Sequence, residues 1–419
     1  MQLGIIADDL TGAVMVAGTI EAAGIAAPVV LDGTTPETAG SGVVVYATRA
    51  RLAPAAEAVA EVARLADRLD AAGCAQIAYK ACATFDSTDD GNIGPVADLL
   101  AARYGQVPLL MSAGLPRFGT TVHQGYLFYR GRLVSESIKR FDPVTPMSDP
   151  DLVRSLGRQT RARVASLPHR WLAAGLDAAR KELRDLAADG AAMVLMDCSD
   201  DADAATGAQL ARDDRATIGS DPHIVALALL RGTRSVTARL RPIDGPGAVL
   251  VGSVGPVARS QVGAFAEIGA VLTLDIADDR PEAALVAEAL DWATRRIGER
   301  PLAVATQGEA EAVARAHGRH GAMGAARRAE RILGAVAAGL VARGVRRLVV
   351  SGGETSGAVA ATLGITRLRA LPEGPLGSGF CVAEAQVRGA PVCLSLFLKP
   401  GKLGADTIFE DALASMRDR

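Results

Sequence analysis

Short apolar runs, each closed by a polar residue or glycine, alternate along the chain with longer Ala-rich stretches whose apolar positions recur at helical spacing. One series of predicted strands is Leu3–Ala7, Val43–Ala47, Gln76–Lys80, Leu109–Ser112 and Met193–Asp197. A second is Ala248–Gly252, Val271–Leu274, Leu302–Ala305, Leu348–Ser351 and Val392–Leu398. Predicted helices between them include Pro54–Ala72, Ile93–Arg103, Ala173–Ala188, Pro281–Arg296 and Ala325–Arg343. Strands alternating with helices build β-α-β units around a parallel sheet. The two series predict an α/β fold with two domains, each a largely parallel sheet flanked by helices, and an active site in the cleft between them. The break is Arg241-Pro242-Ile243-Asp244-Gly245-Pro246-Gly247, where prolines and glycines punctuate the chain just before a new strand. It sets an N-terminal domain at 1–240 and a C-terminal domain at 247–419. Gly114–Pro150 is rich in Gly, Pro, Tyr and Phe and reads as loops and short strands inserted in the first domain, an irregular segment of the kind that often carries function.

Composition narrows the function classes. The 419 residues are 49% hydrophobic and 22% charged, and 45 Lys+Arg oppose 47 Asp+Glu. This balance argues against nucleic acid as the partner. Aromatics are only 4%, so the core rests on Ala, Val, Leu and Ile, and stacking platforms for single strands are scarce. The longest apolar stretch, Leu333–Ala342, is too short to span a bilayer. The N-terminus runs straight into Asp8 and Asp9 without a basic leader, so a cytoplasmic, membrane-free protein is expected. The five cysteines form no C-x-x-C pair, and no metal site is assigned. His317 and His320 are expected in a solvated loop. The chain is compatible with a homodimer, common among soluble enzymes, but no sequence feature fixes one.

In open parallel sheets, ligands bind beyond the carboxyl ends of the strands. The first predicted strand is followed by Asp8 and Asp9, the second by Thr48 and Arg49, the third ends on Lys80 and leads to Thr84-Phe85-Asp86-Ser87-Thr88. Carboxylates accept bonds from sugar hydroxyls, and Arg and Lys pair with an anion. One of the two adjacent carboxylates is enough to cap the following helix, which leaves a ligand role for the other. Thr84–Pro95 is a Gly-punctuated polar loop with Asn92 placed to cap the next helix. His123, Gln124, Ser135 and Glu136 are weaker candidates in the inserted segment.

The second series carries three glycine-rich turns after strands: Gly252-Ser253-Val254-Gly255-Pro256, Ser351-Gly352-Gly353-Glu354-Thr355-Ser356-Gly357, and Lys399-Pro400-Gly401-Lys402-Leu403-Gly404 with Asp406 as a helix cap. Glycines admit a phosphate close to the backbone, and N–H groups at a helix start bind it. None of the turns is a Walker A loop or a G-x-G-x-x-G. Three in one domain predict a phosphate-rich ligand. A domain fit for a small polar anion and one fit for a nucleotide together suit phosphoryl transfer, which needs a base for the attacking hydroxyl and cations for the moving phosphoryl group.

Several blocks resemble the four-carbon acid sugar kinases. Ile6-Ala7-Asp8-Asp9-Leu10-Thr11-Gly12-Ala13 resembles the family's opening signature, and Tyr79–Thr88 with Gly91–Val96 its next block. Gln124–Phe128, Ser135–Ser137 and Pro143–Asp149 are similar to the branch acting on 3-oxo-tetronate. Ser351–Gly357 is similar to the nucleotide loop, and the resemblance runs from the first strand to the last helix. The last loop differs: the family usually has Ser-Gly-Asn-Phe-Gly after its lysine. The resemblance implies an N-terminal sugar-acid domain, a C-terminal ATP domain and ATP-dependent phosphorylation of the 4-hydroxyl of 3-oxo-tetronate. Threonate or erythronate kinase activity and a non-catalytic nucleotide- or sugar-acid-binding protein are the alternatives. Asp8, Asp9, Arg49, Lys80, Thr84 and Asp86 are the expected substrate residues, with Asp8, Asp9 or Asp86 as base. Ser253, Gly353, Glu354, Thr355, Ser356, Lys399, Gly401, Lys402 and Gly404 are the expected ATP residues, with Mg²⁺ as the accompanying ion.

Overall fold

The computed structural model describes residues 1–33, 42–142, 145–234 and 241–417, so Pro143, Val144 and the end of the expected N-terminal domain lie outside the described residues. The chain divides into two compact units, residues 1–16 with 23–236, and residues 17–22 with 237–419.

Unit 1 holds β1 (Leu3–Ala7), β2 (Pro28–Val30), β3 (Val43–Ala47), β4 (Gln76–Lys80), β5 (Leu109–Ser112), β6 (Thr120–His123), β7 (Tyr126–Tyr129), β8 (Arg132–Leu133), β9 (Val164–Leu167), β10 (Met193–Met196) and β11 (Ala216–Gly219). Its helices are α1 (Leu10–Ala22, whose last residues group with unit 2), α2 (Ala55–Ala71), α3 (Ile93–Tyr104), α4 (Leu152–Gln159), α5 (His169–Ala173), α6 (Leu176–Ala188), α7 (Asp201–Leu210) and α8 (Asp221–Arg231). The order β2-β3-β1-β4-β11-β5-β10-β9 makes a parallel sheet. The inserted segment forms the small antiparallel sheet β6-β7-β8.

β1 is buried along its whole length, as a strand covered on both faces must be, and it therefore reads as an unbroken apolar run. α2 turns Ala58, Val62, Leu65, Ala66 and Leu69 inward, the spacing of one helical face. The core continues through Ile77, Tyr79, Leu100, Leu109, Met111 and Leu195, each removing its apolar surface from water at roughly 25 cal/mol per Å².

Unit 2 holds β12 (Gly247–Val251), β13 (Ala270–Leu274), β14 (Leu302–Thr306), β15 (Arg347–Ser351), β16 (Arg367–Ala370), β17 (Phe380–Val387) and β18 (Ala390–Lys399). Its helices are α9 (Pro256–Ala266), α10 (Glu282–Thr294), α11 (Ala310–His320), α12 (Ala322–Val341), α13 (Gly353–Thr362) and α14 (Ile408–Ser415). The order is β13-β14-β12-β15-β18-β17-β16, parallel from β13 to β18 and antiparallel beyond. Val249, Ala303, Val349, Phe397 and Phe409 lie at the centre of its core.

Three local expectations change. The helix expected over Ala173–Ala188 starts later, at Leu176: Ala173 ends the preceding α5, and the chain breaks at Gly175, which takes φ +102°. His317 and His320 lie at the end of α11, not in a loop, and among the described residues no cluster of His, Cys, Asp or Glu could hold a metal ion. The last helix begins at Ile408 after Thr407, so Asp406 is not its cap. No helix among the described residues is long and apolar enough to cross a membrane.

Candidate active site

The register aligns the strand ends of unit 1. Ala7 pairs with Ala47 and Lys80, Lys80 with Gly219, Gly219 with Ser112, and Ser112 with Met196. Asp8, Thr48, Ala81 and Asp197 therefore leave the sheet at one rim. Asp8 and Asp9 are both buried there. Arg51 grips Asp8 with two bonds, Nε to Oδ2 at 2.9 Å and Nη2 to Oδ1 at 2.8 Å. Its Nη1 lies 2.9 Å from Asp9 Oδ2. The Cys82 N–H donates to Asp8 Oδ2 at 2.9 Å. Asp9 accepts from the Thr11 hydroxyl at 2.6 Å and the Gly12 N–H at 2.7 Å, so it caps α1 as well as pairing with Arg51.

The Lys80 ammonium lies 3.4 Å from Asp221 and 3.9 Å from Asp8, held by charge and not by a tight hydrogen bond. A Cβ at position 12 would land on this ammonium, so glycine there lets Lys80 cross the start of α1. Burial opposes ionisation of Asp9, but Arg51, Lys80, Thr11 and Gly12 outweigh it and hold its carboxyl below the usual range. Burial likewise opposes the Lys80 charge, yet Asp221 and Asp8 push its pKa up to about 12.

A second ion pair stands on the loop after β4. Lys139 Nζ donates to both Asp86 oxygens, at 2.7 and 2.5 Å, and the Thr84 hydroxyl adds a bond of 2.6 Å. Burial opposes the charge of Lys139, and Asp86 more than compensates. Between Thr84 and Asp86, Phe85 adopts φ +48°, a conformation few non-glycine residues take.

The structure brings Asp8, Asp9 and Lys80 together, and joins to them two residues that sequence reasoning missed, Arg51 and Asp221. Arg49 is exposed at the same rim. The short 3-10 turn Ala50–Leu52 turns Arg51, two residues on, towards the carboxylates. Asn92 does not cap α3; its Nδ2 donates to the carbonyls of Ala50 at 2.6 Å and Ala53 at 3.1 Å and so pins the turn that carries Arg51. Farther along the rim, buried Asp197 accepts N–H bonds from Gln124, Gly125 and His169 and anchors the β6–β7 turn, while His123 Nδ1 meets Ser199 Oγ at 2.9 Å. Ser135 and Glu136 lie in a 3-10 turn after β8. A cavity of about 320 Å³ beside Ser87, Asp89, Met147, Asp149 and Arg158 does not include Asp8, Asp9 or Lys80.

In unit 2, Val251 pairs with Ala305 and Ser351, and Ser351 with Lys399. The three glycine turns leave from this level and pack closely. A Cβ at Gly252 would overlap the Thr355 hydroxyl, and one at Gly401 would overlap the Ser253 hydroxyl. Gly352 donates its N–H to Lys399 O at 3.0 Å, and Ser356 Oγ bonds Gly352 O at 2.8 Å. α9 starts from the first turn at Pro256 and α13 from the second at Gly353, and the N–H groups of a first helical turn have no partner within the helix. Lys399 is buried beneath the turns, its ammonium 3.0 Å from Gln261 Oε1 and 3.1 Å from Ser351 Oγ, and burial pushes its pKa down to about 8. Gln261 in turn donates to the carbonyls of Leu403, Gly404 and Ala405. Glu354 lies half-buried in the first turn of α13, and Lys402 is exposed. One rim thus offers paired charges to a small polar anion, the other a backbone cradle to phosphate.

Comparison with known proteins agrees with this division. Residues 3–227 match a family model described as a sugar-binding N-terminal domain, and residues 248–409 one described as a nucleotide-binding C-terminal domain. The chain is 38% identical over 428 residues to a 3-oxo-tetronate kinase of Methylobacterium radiotolerans, covering 99% of each chain. It is 37% identical over 426 residues to one from Cupriavidus necator, covering 99% of this chain and 97% of the relative. Among solved structures it resembles a Salmonella typhimurium protein described as a tRNA synthase, at TM-score 0.82 and 31% identity over 98% of each chain.

Proposed function

We propose, for a chain that belongs to the four-carbon acid sugar kinase family, that it transfers the terminal phosphoryl group of ATP to the 4-hydroxyl of 3-oxo-tetronate. The observation that supports this most is the buried array of Asp8, Asp9, Arg51, Lys80 and Asp221 at the strand ends of unit 1. Arg51 commits three of its five donors to Asp8 and Asp9, and its side chain keeps 23% of its surface in solvent, so it can still meet an incoming carboxylate. Lys80 adds a cation without a tight partner. Asp8 and Asp9 present fixed acceptors to hydroxyls. Asp8, Asp9 and Asp86 are the candidates for the base that takes the proton of the attacking hydroxyl. A tRNA substrate fits poorly with a net charge of −2 and 4% aromatics.

The cradle of unit 2 fits a triphosphate. Gly252 and Gly401 stand where a side chain would collide, and two of its turns lead directly into helix starts, which favour an anion. Ser253, Gly353, Thr355, Ser356 and Gly401 are the residues we assign to the phosphates, with Lys399 beneath them and Lys402 and Gly404 on the rim. Mg²⁺ binds largely through phosphate oxygens and water and needs few protein ligands, a role we assign to Glu354. When bound, it supplies neutralisation of phosphate charge.

The test is ADP release by the purified protein with ATP and Mg²⁺, offered 3-oxo-tetronate, D- and L-threonate and D-erythronate. Turnover on 3-oxo-tetronate alone is expected. Preference for threonate or erythronate would replace the substrate, and ATP binding without turnover on any acid would overturn the kinase assignment.

A further inference from the structure

The 3-10 turn Ile138–Phe141 is built inside out. Ile138 and Phe141 are 62% and 80% exposed, while Lys139 between them is only 6% exposed. Hydrophobic burial favours the reverse, and a lysine goes inside only when it is paired. The backbone of Lys139 is pinned on both sides: its N–H donates to Ser137 Oγ at 3.1 Å, and its carbonyl accepts the Met147 N–H at 3.1 Å. Its ammonium lies 5.9 Å from the centre of the Tyr129 ring and gives two of its three N–H donors to the Asp86 carboxylate. The third donor has no partner among the described residues.

This pair stands beside the array at the strand ends. The Cys82 N–H donates to Asp8, the Cys82 thiol meets the Thr84 hydroxyl at 3.3 Å, and that hydroxyl donates to Asp86. Half-buried Cys82 therefore stands between the Arg51–Asp8 and Lys139–Asp86 pairs, close enough to both cations to act on their charge. The Phe85 N–H closes a turn onto the Cys82 carbonyl at 2.8 Å, which keeps the ends of Cys82–Phe85 within about 7 Å. The two pairs are thus one turn apart, the reach of a four-carbon acid. In the array, three carboxylates, Asp8, Asp9 and Asp221, face two cations, Arg51 and Lys80. A substrate carboxylate uses that positive charge, and a phosphate ester forming at the other end of the acid needs a further cation.

We propose that Lys139 receives the transferred phosphoryl group: its spare N–H and its charge meet the oxygens on phosphorus, while Arg51 and Lys80 hold the carboxylate of the acid. In that step the 4-oxygen forms its bond to phosphorus and its proton passes to a carboxylate of the site. The bond from phosphorus to the bridging oxygen breaks, its electron pair leaving on ADP. Lys139 exchanges no proton, and the new phosphate competes with Asp86 for its charge. The proposal rests on the kinase assignment.

It is tested by calorimetric titration of the full chain, without nucleotide, with D-erythronate and with D-erythronate 4-phosphate. The ratio of the two affinities isolates what the phosphate adds. Lys139→Met removes the cation and Asp86→Asn removes its competitor. The double variant leaves neither charge unpaired inside, and thermal melts confirm folding. Preference for the 4-phosphate should rise about tenfold in Asp86→Asn. It should fall about 10–100-fold in Lys139→Met, and by as much in the double variant relative to Asp86→Asn. A lysine with a merely structural role would weaken acid and ester alike and leave the ratio unmoved. An unmoved ratio in the folded double variant, relative to Asp86→Asn, would overturn the role of Lys139 and leave the kinase assignment standing. Failure of wild type to bind 3-oxo-tetronate, D-erythronate or the ester would overturn both.

Discussion

At the strand ends of unit 1, recognition is built from side chains: a chain of ion pairs links Asp9, Arg51, Asp8, Lys80 and Asp221, and most of the five are buried. At the strand ends of unit 2, it is built from backbone: glycines packed on Ser253 and Thr355, helix starts, and the buried cation Lys399 with two neutral partners. The difference follows from the ligands each suits. A small sugar acid offers one carboxylate and a few hydroxyls, so its site must aim fixed charges. A polyphosphate offers many equivalent oxygens, which N–H groups satisfy without committing a side chain to each. The first kind of site should fail when a charge is lost, the second when a methyl is gained.

Lys80→Met puts the first half of that contrast to its hardest test. The substitution keeps the length of the side chain but leaves Asp8 and Asp221 short of a buried cation. Removing one partner of a buried pair costs about 3–5 kcal/mol, so urea denaturation should show unit 1 strongly destabilised and turnover should vanish. In wild type the raised pKa of Lys80 means its contribution is complete below the unfolded value of 10.5 and is lost as pH rises through about 12. A Lys80→Met protein as stable as wild type at neutral pH would mean the array is solvated and the contrast is wrong.

Arg51→Ala against Arg49→Ala sharpens the same half. Charge-assisted hydrogen bonds contribute about 1.5–3 kcal/mol each, so Arg51→Ala should lower kcat/KM by about 10–100-fold. Arg49→Ala, at an exposed position, should change it by less than about threefold. Equal losses would give Arg49 the same standing in the site as Arg51. Gly252→Ala and Gly401→Ala address the other half: the added methyl must displace a hydroxyl of the cradle, and ADP affinity measured by calorimetry should fall about tenfold. Sugar-acid binding should be untouched by either.

The residues just contrasted differ in how openly the sequence shows them. β1, β3, β4 and β5 end where their apolar runs end, because strands buried on both faces must be apolar throughout. Asp8, Asp9 and Lys80 stand at those ends and were therefore legible. β9 and β11 were not, since Val-Ala-Ser-Leu and Ala-Thr-Ile-Gly are short and carry polar residues. With β11 unseen, Asp221 at the start of α8 had no rim to belong to. Arg51 was hidden for another reason: in Thr48-Arg49-Ala50-Arg51 the choice between two arginines depends on a 3-10 turn set by Asn92, a residue distant in sequence. Lys139 reaches Asp86 only through the folding of the inserted segment. The glycine turns of unit 2 were legible because a close-packed backbone demands glycine itself, whatever the surrounding contacts.

The smallest expected effect asks whether the cradle is backbone alone. Burial has lowered Lys399 to about 8, with Gln261 and Ser351 as neutral partners. Near pH 8 the free protein therefore holds about half a proton there. A polyphosphate in the turns above would favour the ammonium and raise its pKa, so nucleotide binding should take up as much as about half a proton at that pH. Because the charged form binds more tightly, ADP affinity should decline as pH rises through 8. Calorimetry in buffers of different ionisation enthalpy measures the uptake directly, and Lys399→Met should abolish it. Uptake would show that a charge lies beneath the glycines and that the two rims differ in degree. No uptake, with ADP bound, would place Lys399 outside the field of the phosphates, as a strut for Gln261 and the final turn, and the division between a rim of charges and a rim of backbone would be complete.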